Sequence, residues 1–564
     1  MFSSKKKQLF VAPAKQSTSA TTDTSNQSAF VSAALKKSAE TLSGKGALKY
    51  ATTGNPFIDQ FGVLGMYKQP REFAAIEKDC ETLWASNKLM TVVFILYLRM
   101  ITRVVQLFNG VSTSVSQKGA ELRHEGIMRM IWLSQKAPDT FWKNIGLFVS
   151  VGSWKDIITM LQYDLVYNGW EGRVLDWEKF GQLILSGLNN DKTVNLVKKY
   201  LPQIKAKSAC KTVEAQADTI IGKWICSLLF GGKIDNGTGT TYKKYRKLKS
   251  SGTAHEWQQL ISKGLHDLID FDKIHGRALN LLVRSKYLKN HGLEDKYNAW
   301  ITSPETKDVK YTGFAYELFS GLPMRLSEIS VAQKETINKQ FMTLITKGGE
   351  AEQTPLIVVR DTSGSMDSQC TGTNMSCYDV AKSLALYFSY FLKGKFQDAW
   401  IEFNSTAQMH TWKGETPLER WYNDHSNYIG STQFQSVIAL FCRMKNQGIP
   451  EEEFPKGILC ISDGEFDPGQ LSSNNVQNAK MMLKQAGFSE EYVANFIIVL
   501  WNLQSGYHGK TTGQKFETYG NQPGVYYFSG FSAAVASFLT GKVRNAEELF
   551  NAAMNQEILQ MVQL

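Results

Sequence analysis

Cysteine is scarce in this chain of 564 residues: there are seven, at positions 80, 210, 226, 370, 377, 442 and 460, and no two form a Cys-x-x-Cys pair. That excludes a zinc ribbon or a disulfide framework as the organising device, and a reducing compartment fits the usage. The eight histidines are dispersed, and there is neither a His-Glu-x-x-His nor a Gly-x4-Gly-Lys-Ser/Thr run. A helix-borne zinc hydrolase and a P-loop nucleotide site are therefore excluded. His266-Asp267, in HDLIDFDKIH, lacks the further ligands a phosphohydrolase needs. No apolar stretch follows the lysines of MFSSKKKQLF, so no secretory signal is expected. The longest apolar run, 90–107, contains Arg99 and Arg103. Two arginines in lipid would cost several kcal/mol, so this run is expected to be a buried helix of a large soluble bundle.

What remains is ordinary globular material, 43% hydrophobic and 20% charged, with 44 Gly and 13 Pro. Such a composition excludes whole-chain disorder and collagen, and the length allows several domains. The net charge of +11 is unevenly placed. Residues 1–350 carry 48 Lys and Arg against 31 Asp and Glu, whereas residues 351–564 carry 15 against 21. A basic part joined to an acidic part points to two jobs, one for a polyanion and one for a cation.

The Ser-, Thr- and Lys-rich segment 1–45 reads as a mobile basic arm, with a short helix expected near 29–42. From about 70 to 345, apolar residues recur at three and four spacing, in 73–84, 90–108, 120–134, 139–149, 154–167, 176–188, 213–229 and beyond. Many successive amphipathic helices with short connections predict an all-α helical solenoid over 46–349, without a clean sequence period. After 350 the pattern changes. Apolar runs at 355–361, 398–403, 457–463, 495–502 and 525–528 alternate with helical stretches, the signature of a doubly wound parallel α/β sheet over 350–541. A C-terminal helix is expected within 542–564.

Asp361-Thr362-Ser363-Gly364-Ser365 follows the buried run PLIVVR, Gly430-Ser431-Thr432 opens a helical stretch, and Asp463-Gly464 ends GILCIS. The carboxyl edge of an open α/β sheet is where ligands bind. Asp361, Ser363, Ser365, Thr432 and Asp463 offer only oxygen, which selects Mg²⁺, or Mn²⁺ or Ca²⁺, over zinc. The alternative is a Ser-rich turn that caps a helix. Asp361–Met366 together with Asp463 resembles the metal-ion-dependent adhesion site of the von Willebrand factor A family. The resemblance implies that Ser363, Ser365 and Thr432 ligate the ion directly, while Asp361 and Asp463 act mostly through water. It makes Asp467 a candidate outer helper, and it implies an acidic protein segment as partner.

Two basic features complete the pattern. Tyr242–Lys249 interleaves five cations with two tyrosines. Lys243, Lys244, Arg246 and Lys247 suit phosphates, and Tyr245 suits stacking on unpaired bases; a plain solvated helix is the alternative. Arg99, Arg103, Lys118, Arg123, Arg129, Lys143 and Lys155 form a dispersed set. These either line a curved wall or pair with Glu121, Glu125 and Asp156. The segments YLRMITR, QKGAELR (with Lys118 and Arg123), PDTFWKNIGLFVSVGSWKDI, TYKKYRKLKS and SDGEFD resemble a family that couples a TROVE-like helical module to a von Willebrand A domain. That family is related to the Ro ribonucleoprotein, whose module is a ring of HEAT-like helices that holds structured RNA. The expectation is a cytoplasmic, non-enzymatic RNA-binding scaffold with a Mg²⁺-dependent protein site. Two other readings stay open: a metal-dependent assembly module without nucleic acid, including one associated with a virion, and a metal-dependent hydrolase or nuclease.

Overall fold

The computed structural model describes residues 40–42, 48–50 and most of 53–564, apart from 232–238, 348–355, 467–474, 504–523, 530–545 and several shorter stretches. A helical region precedes a mixed α/β sheet of six strands. Contacts divide the chain into two compact units, one built on Pro70–Ile269 with Gln556–Leu564, the other on Asp270–Asn555 with the described residues between Thr24 and Gln69. The helices between Arg277 and Lys347 thus belong to the same unit as the sheet. Among the described residues no helix is long and apolar enough to cross a membrane.

In the first unit, helix Lys88–Arg99 starts at Asn87, whose side chain accepts the Met90 N–H. From Thr91 onward this Val-, Ile- and Leu-rich helix is buried on all sides, against helices Arg123–Lys136 and Pro138–Val151. It ends at Arg99 rather than continuing through 108. Arg103–Phe108 (β3) pairs antiparallel with Ser112–Gln117 (β4). The helical reading of 90–108 is corrected here: the Val and Thr residues of 103–117 favour strands, and the connecting sequence contains Asn-Gly, a hairpin signal. Helices Trp154–Asn168, Trp177–Leu188, Val194–Tyr200, Val213–Phe230 and Thr240–Ser250 follow. The helix expected near 29–42 lies outside the described residues up to 39, and Glu40–Leu42 (β1) is instead a strand paired with Leu48–Tyr50 (β2).

The second unit holds the sheet. Its strands are Leu356–Asp361 (β5), Ala399–Phe403 (β6), Ala407–Thr411 (β7), Gly457–Ser462 (β8), Ile497–Asn502 (β9) and Val525–Ser529 (β10), in the order β10-β9-β8-β5-β6-β7. All neighbours are parallel except β6 and β7. Every residue of β5 and β8 is buried because both faces are covered. Ile357, Val359, Ile458, Cys460, Ile498 and Leu500 pack with Val437, Ile438 and Phe441 of helix Gln435–Asn446 and with Val476 and Leu483 of helix Asn475–Gln485. Helix Cys377–Ser389 packs on β5, and Phe341 of helix Val331–Lys347 packs edge-on against its Tyr387. Helix Ala546–Met554 sets Phe550 edge-on to Phe61 of helix Pro56–Gly62. It is shorter than the expected C-terminal helix, and only a 3₁₀ turn, Leu559–Met561, follows it.

The chain leaves β5 toward β6 on one side, and β8 leads to β9 on the other. The crevice between the carboxyl ends of β5 and β8 is therefore the switch point of the sheet, where this architecture places ligands.

Candidate metal centre

Asp361 is the last residue of β5 and is fully buried. Its Oδ1 accepts the Ser363 N–H at 2.8 Å, and its Oδ2 accepts the Ser462 hydroxyl at 2.5 Å. The first bond curls the loop back over the strand end. Ser363 Oγ and Ser365 Oγ then lie 3.1 Å apart, two hydroxyls facing one another as the spacing requires. The Gly364 N–H donates to the Gly430 carbonyl at 3.2 Å, which ties this loop to the one carrying Thr432. Thr432 is fully buried and Asp463 nearly so. Gly430 (φ +91°) needs its missing side chain: a Cβ there would meet Ser405 Oγ at 2.6 Å. Gly464 (φ +85°), directly after Asp463, donates its N–H to Ser462 Oγ at 3.0 Å, and a Cβ on it would fall 2.3 Å from Asn502 Nδ2.

The five residues read from sequence thus come from three loops at one end of the sheet. Burial, and then the negative charge of Asp463, push the Asp361 carboxyl up to about 7, while hydrogen bonds from Ser462 and Ser363 work the other way. Two buried carboxylates that repel each other beside three hydroxyls suit a hard divalent cation. Among the described residues there is no group of three or more His, Cys, Asp or Glu side chains that could hold a metal; this cluster offers two carboxylates and three hydroxyls instead. Asp467 lies outside the described residues.

Several supporting residues escaped the sequence reading. Ser462 immobilises Asp361. Thr362 donates its hydroxyl to Glu402 Oε1 (3.1 Å) and accepts from Asn404 Nδ2 (3.2 Å), so β6 anchors the loop from the other side. Ser405 and Ser431 share a 3.2 Å contact. Arg360, one residue before Asp361, is fully buried and pairs with Asp424 at 2.5 Å; Lys382 reaches the same carboxylate at 3.5 Å. Burial opposes the Asp424 charge, but Arg360 and Lys382 outweigh it and hold the carboxyl well below its ordinary range. Only Ser462, next to Asp463, carried a positional signal; Glu402, Asn404 and Asp424 are set by strand register and loop return.

The basic features fare differently. Helix Thr240–Ser250 exposes Lys243, Lys244, Arg246 and Lys247, with no acidic partner among the described residues. Tyr245 is not available for stacking: it is 1% exposed and its hydroxyl donates to the Pro202 carbonyl at 2.9 Å. Tyr242 likewise donates to the Ile204 carbonyl, and Lys249 donates to that of Leu201 at 2.5 Å. The expected stacking role is corrected because the apolar stripe of this helix needs both rings for packing. In the dispersed set the ion-pair alternative holds for Arg99, Arg123 and Arg129. Arg99 and Arg123 pair with Asp156 (2.7 and 3.1 Å), and Arg129 pairs with Glu125 (2.8 Å), which also takes Arg71 (2.5 Å). Lys143 donates to the Leu564 carbonyl, and Lys155 is exposed. Lys118 lies outside the described residues. No curated protein matches the chain; residues 356–562, from β5 to the C-terminal segment, match the model of a family described as a domain of unknown function (DUF7788).

Proposed function

We propose that the sheet unit is a divalent-cation-dependent docking module of the von Willebrand A kind, and that the helical unit is a TROVE-like, HEAT-type scaffold that holds RNA by its phosphates. The observation that carries this reading is the gathering of Asp361, Ser363 and Ser365 with the Thr432 loop and Asp463 at the sheet's switch point. Ser363, Ser365 and Thr432 would hold Mg²⁺, with Asp361 and Asp463 behind them. The bound ion would supply an electrophilic position for a carboxylate from a protein partner. The donor set favours docking over hydrolysis, since two-metal phosphoryl chemistry rests on paired ions held by shared carboxylates.

Calorimetric titration with Mg²⁺ tests the centre. Wild-type protein binds, and Ser363→Ala and Ser365→Ala each lower the affinity about tenfold or more with the thermal transition retained. Equal affinity in all three proteins overturns the assignment. The RNA half rests on the exposed row Lys243, Lys244, Arg246 and Lys247. With Tyr245 in the core, that row points to phosphate contacts and not to base stacking.

A further inference from the structure

The sheet has two margins, and the one formed by β7 is open. Trp412 donates its N–H to the Asp398 carbonyl, and Asn404 donates its N–H to that of Thr406, both at 2.9 Å. With Trp400 opposite His410 and Glu402 opposite Gln408, antiparallel alternation gives the bonds with β6 to residues 408, 410 and 412. The N–H and C=O groups of Ala407, Met409 and Thr411 therefore turn away from β6, and none of them has a hydrogen-bond partner among the described residues. Edge strands are usually blunted by a lysine, a proline, an inward charge or a bulge. Ala407–Thr411 contains no lysine, arginine, carboxylate or proline, and its five residues pair with β6 without a bulge. Gln408, Met409 and Thr411 are exposed.

The two faces beside this margin differ. Ala407 belongs to the core that Leu440 and Phe441 of helix Gln435–Asn446 complete. Met409 turns to the same face and is 40% exposed, so this side offers an apolar contact. Gln408 and His410 turn to the other face, where they line a cavity of about 490 Å³ together with Lys413. There Glu402 lies 2.8 Å from His410 Nε2, and Asp424 pairs with Arg360 and Lys382. Lys413, by contrast, is exposed and has no ion pair among the described residues. A strand added to β7 gains its affinity from backbone bonds and its selectivity from alternate side chains. Those side chains are apolar beside Met409 and carboxylates toward Lys413. A second copy of Ala407–Thr411 brings no carboxylate.

We propose that β7 accepts an extended segment of a partner protein as a seventh strand, and that this segment alternates apolar residues with carboxylates. Three peptides test this on the full chain: acetyl-Thr-Glu-Val-Glu-Val-Glu-Thr-amide, its copy with lysine in place of glutamate, and a fully N-methylated copy, which keeps the side chains and has no backbone donors. A chelator is present throughout, so that no metal ion takes the carboxylates. Amide hydrogen exchange is followed residue by residue. The acidic peptide slows exchange at Ala407, Met409 and Thr411 about tenfold and changes Gln408 and His410, already bonded to β6, little. The N-methylated copy slows none of them. Met409→Pro removes an N–H that β6 does not use, and with it the protection of Ala407 and Thr411. Lys413→Glu turns the preference from the acidic peptide to the lysine peptide. The proposal falls if the acidic peptide leaves the three amides unchanged, if the N-methylated copy protects them equally, or if Lys413→Glu keeps the original preference. Protection of the three amides that grows with protein concentration alone assigns the margin to a second copy, and overturns the proposal as well.

Discussion

At the scale of single residues, Asp361 faces two opposed demands. On the proposed reading it helps hold a cation as a carboxylate, yet burial and Asp463 push it up to about 7 from an ordinary 3.8. A folded-state value above the unfolded one means that the fold favours the neutral form. That contribution is complete below about pH 4 and is lost as pH rises through about 7. In chelator-treated protein, thermal stability should therefore fall across that window, and Mg²⁺ should restore it above about pH 7 while adding little below about pH 4. Calorimetric melts at both ends, with and without Mg²⁺, check the sign; equal Mg²⁺ stabilisation at both contradicts it. Gly464→Ala makes a second residue-level prediction. With φ at +85° and Asn502 in the way, it should cost about 1–2 kcal/mol by denaturant unfolding. The five oxygen-bearing side chains were legible because each follows an apolar strand or opens a helix. Glu402 and Asn404 were not, because nothing in the sequence states that β6 lies beside β5.

At the scale of elements, the strands of the sheet announced themselves as short apolar runs, and the parallel order followed from helices between them. The hairpin of β3 and β4 did not, because apolar residues at 104, 105 and 107 fit either period when read as a continuation of helix Lys88–Arg99. The buried Arg360–Asp424–Lys382 cluster joins β5, helix Cys377–Ser389 and the loop after Tyr422. Asp424→Asn leaves a buried guanidinium without its counter-charge, so destabilisation of about 3 kcal/mol is expected from urea unfolding. Because the Asp424 carboxyl is held low in the fold, its contribution is present above the unfolded value of 3.8 and is lost as pH falls from there. The variant should accordingly show a smaller loss of stability between about pH 4 and pH 2 than the wild type does.

At the scale of the whole molecule, the charge division read from sequence gives the strongest handle on function. Lys243, Lys244, Arg246 and Lys247 supply four exposed cations on one helix. If they neutralise RNA phosphates, replacing all four by Gln should lower the slope of log affinity against log salt by about 3 for single strands. Filter binding across a salt series measures it, and an unchanged slope removes the RNA reading from this helix. The compositional change near 350 marked where the sheet begins, but not where the compact units divide. Helix Val331–Lys347 reads like its helical predecessors and becomes part of the sheet unit only through contacts such as Phe341 with Tyr387 and Tyr390.

The strand that ends in Asp361 has a hydrogen-bonded neighbour on each side, whereas β7 and β10 close the sheet with one neighbour apiece. Amide protons of Ile357 to Arg360 should be among the last to exchange with deuterated solvent, long after the margins have fluctuated open. A load hung on the tip of that strand is borne by the least yielding part of the unit, which suits an anchor better than a hinge.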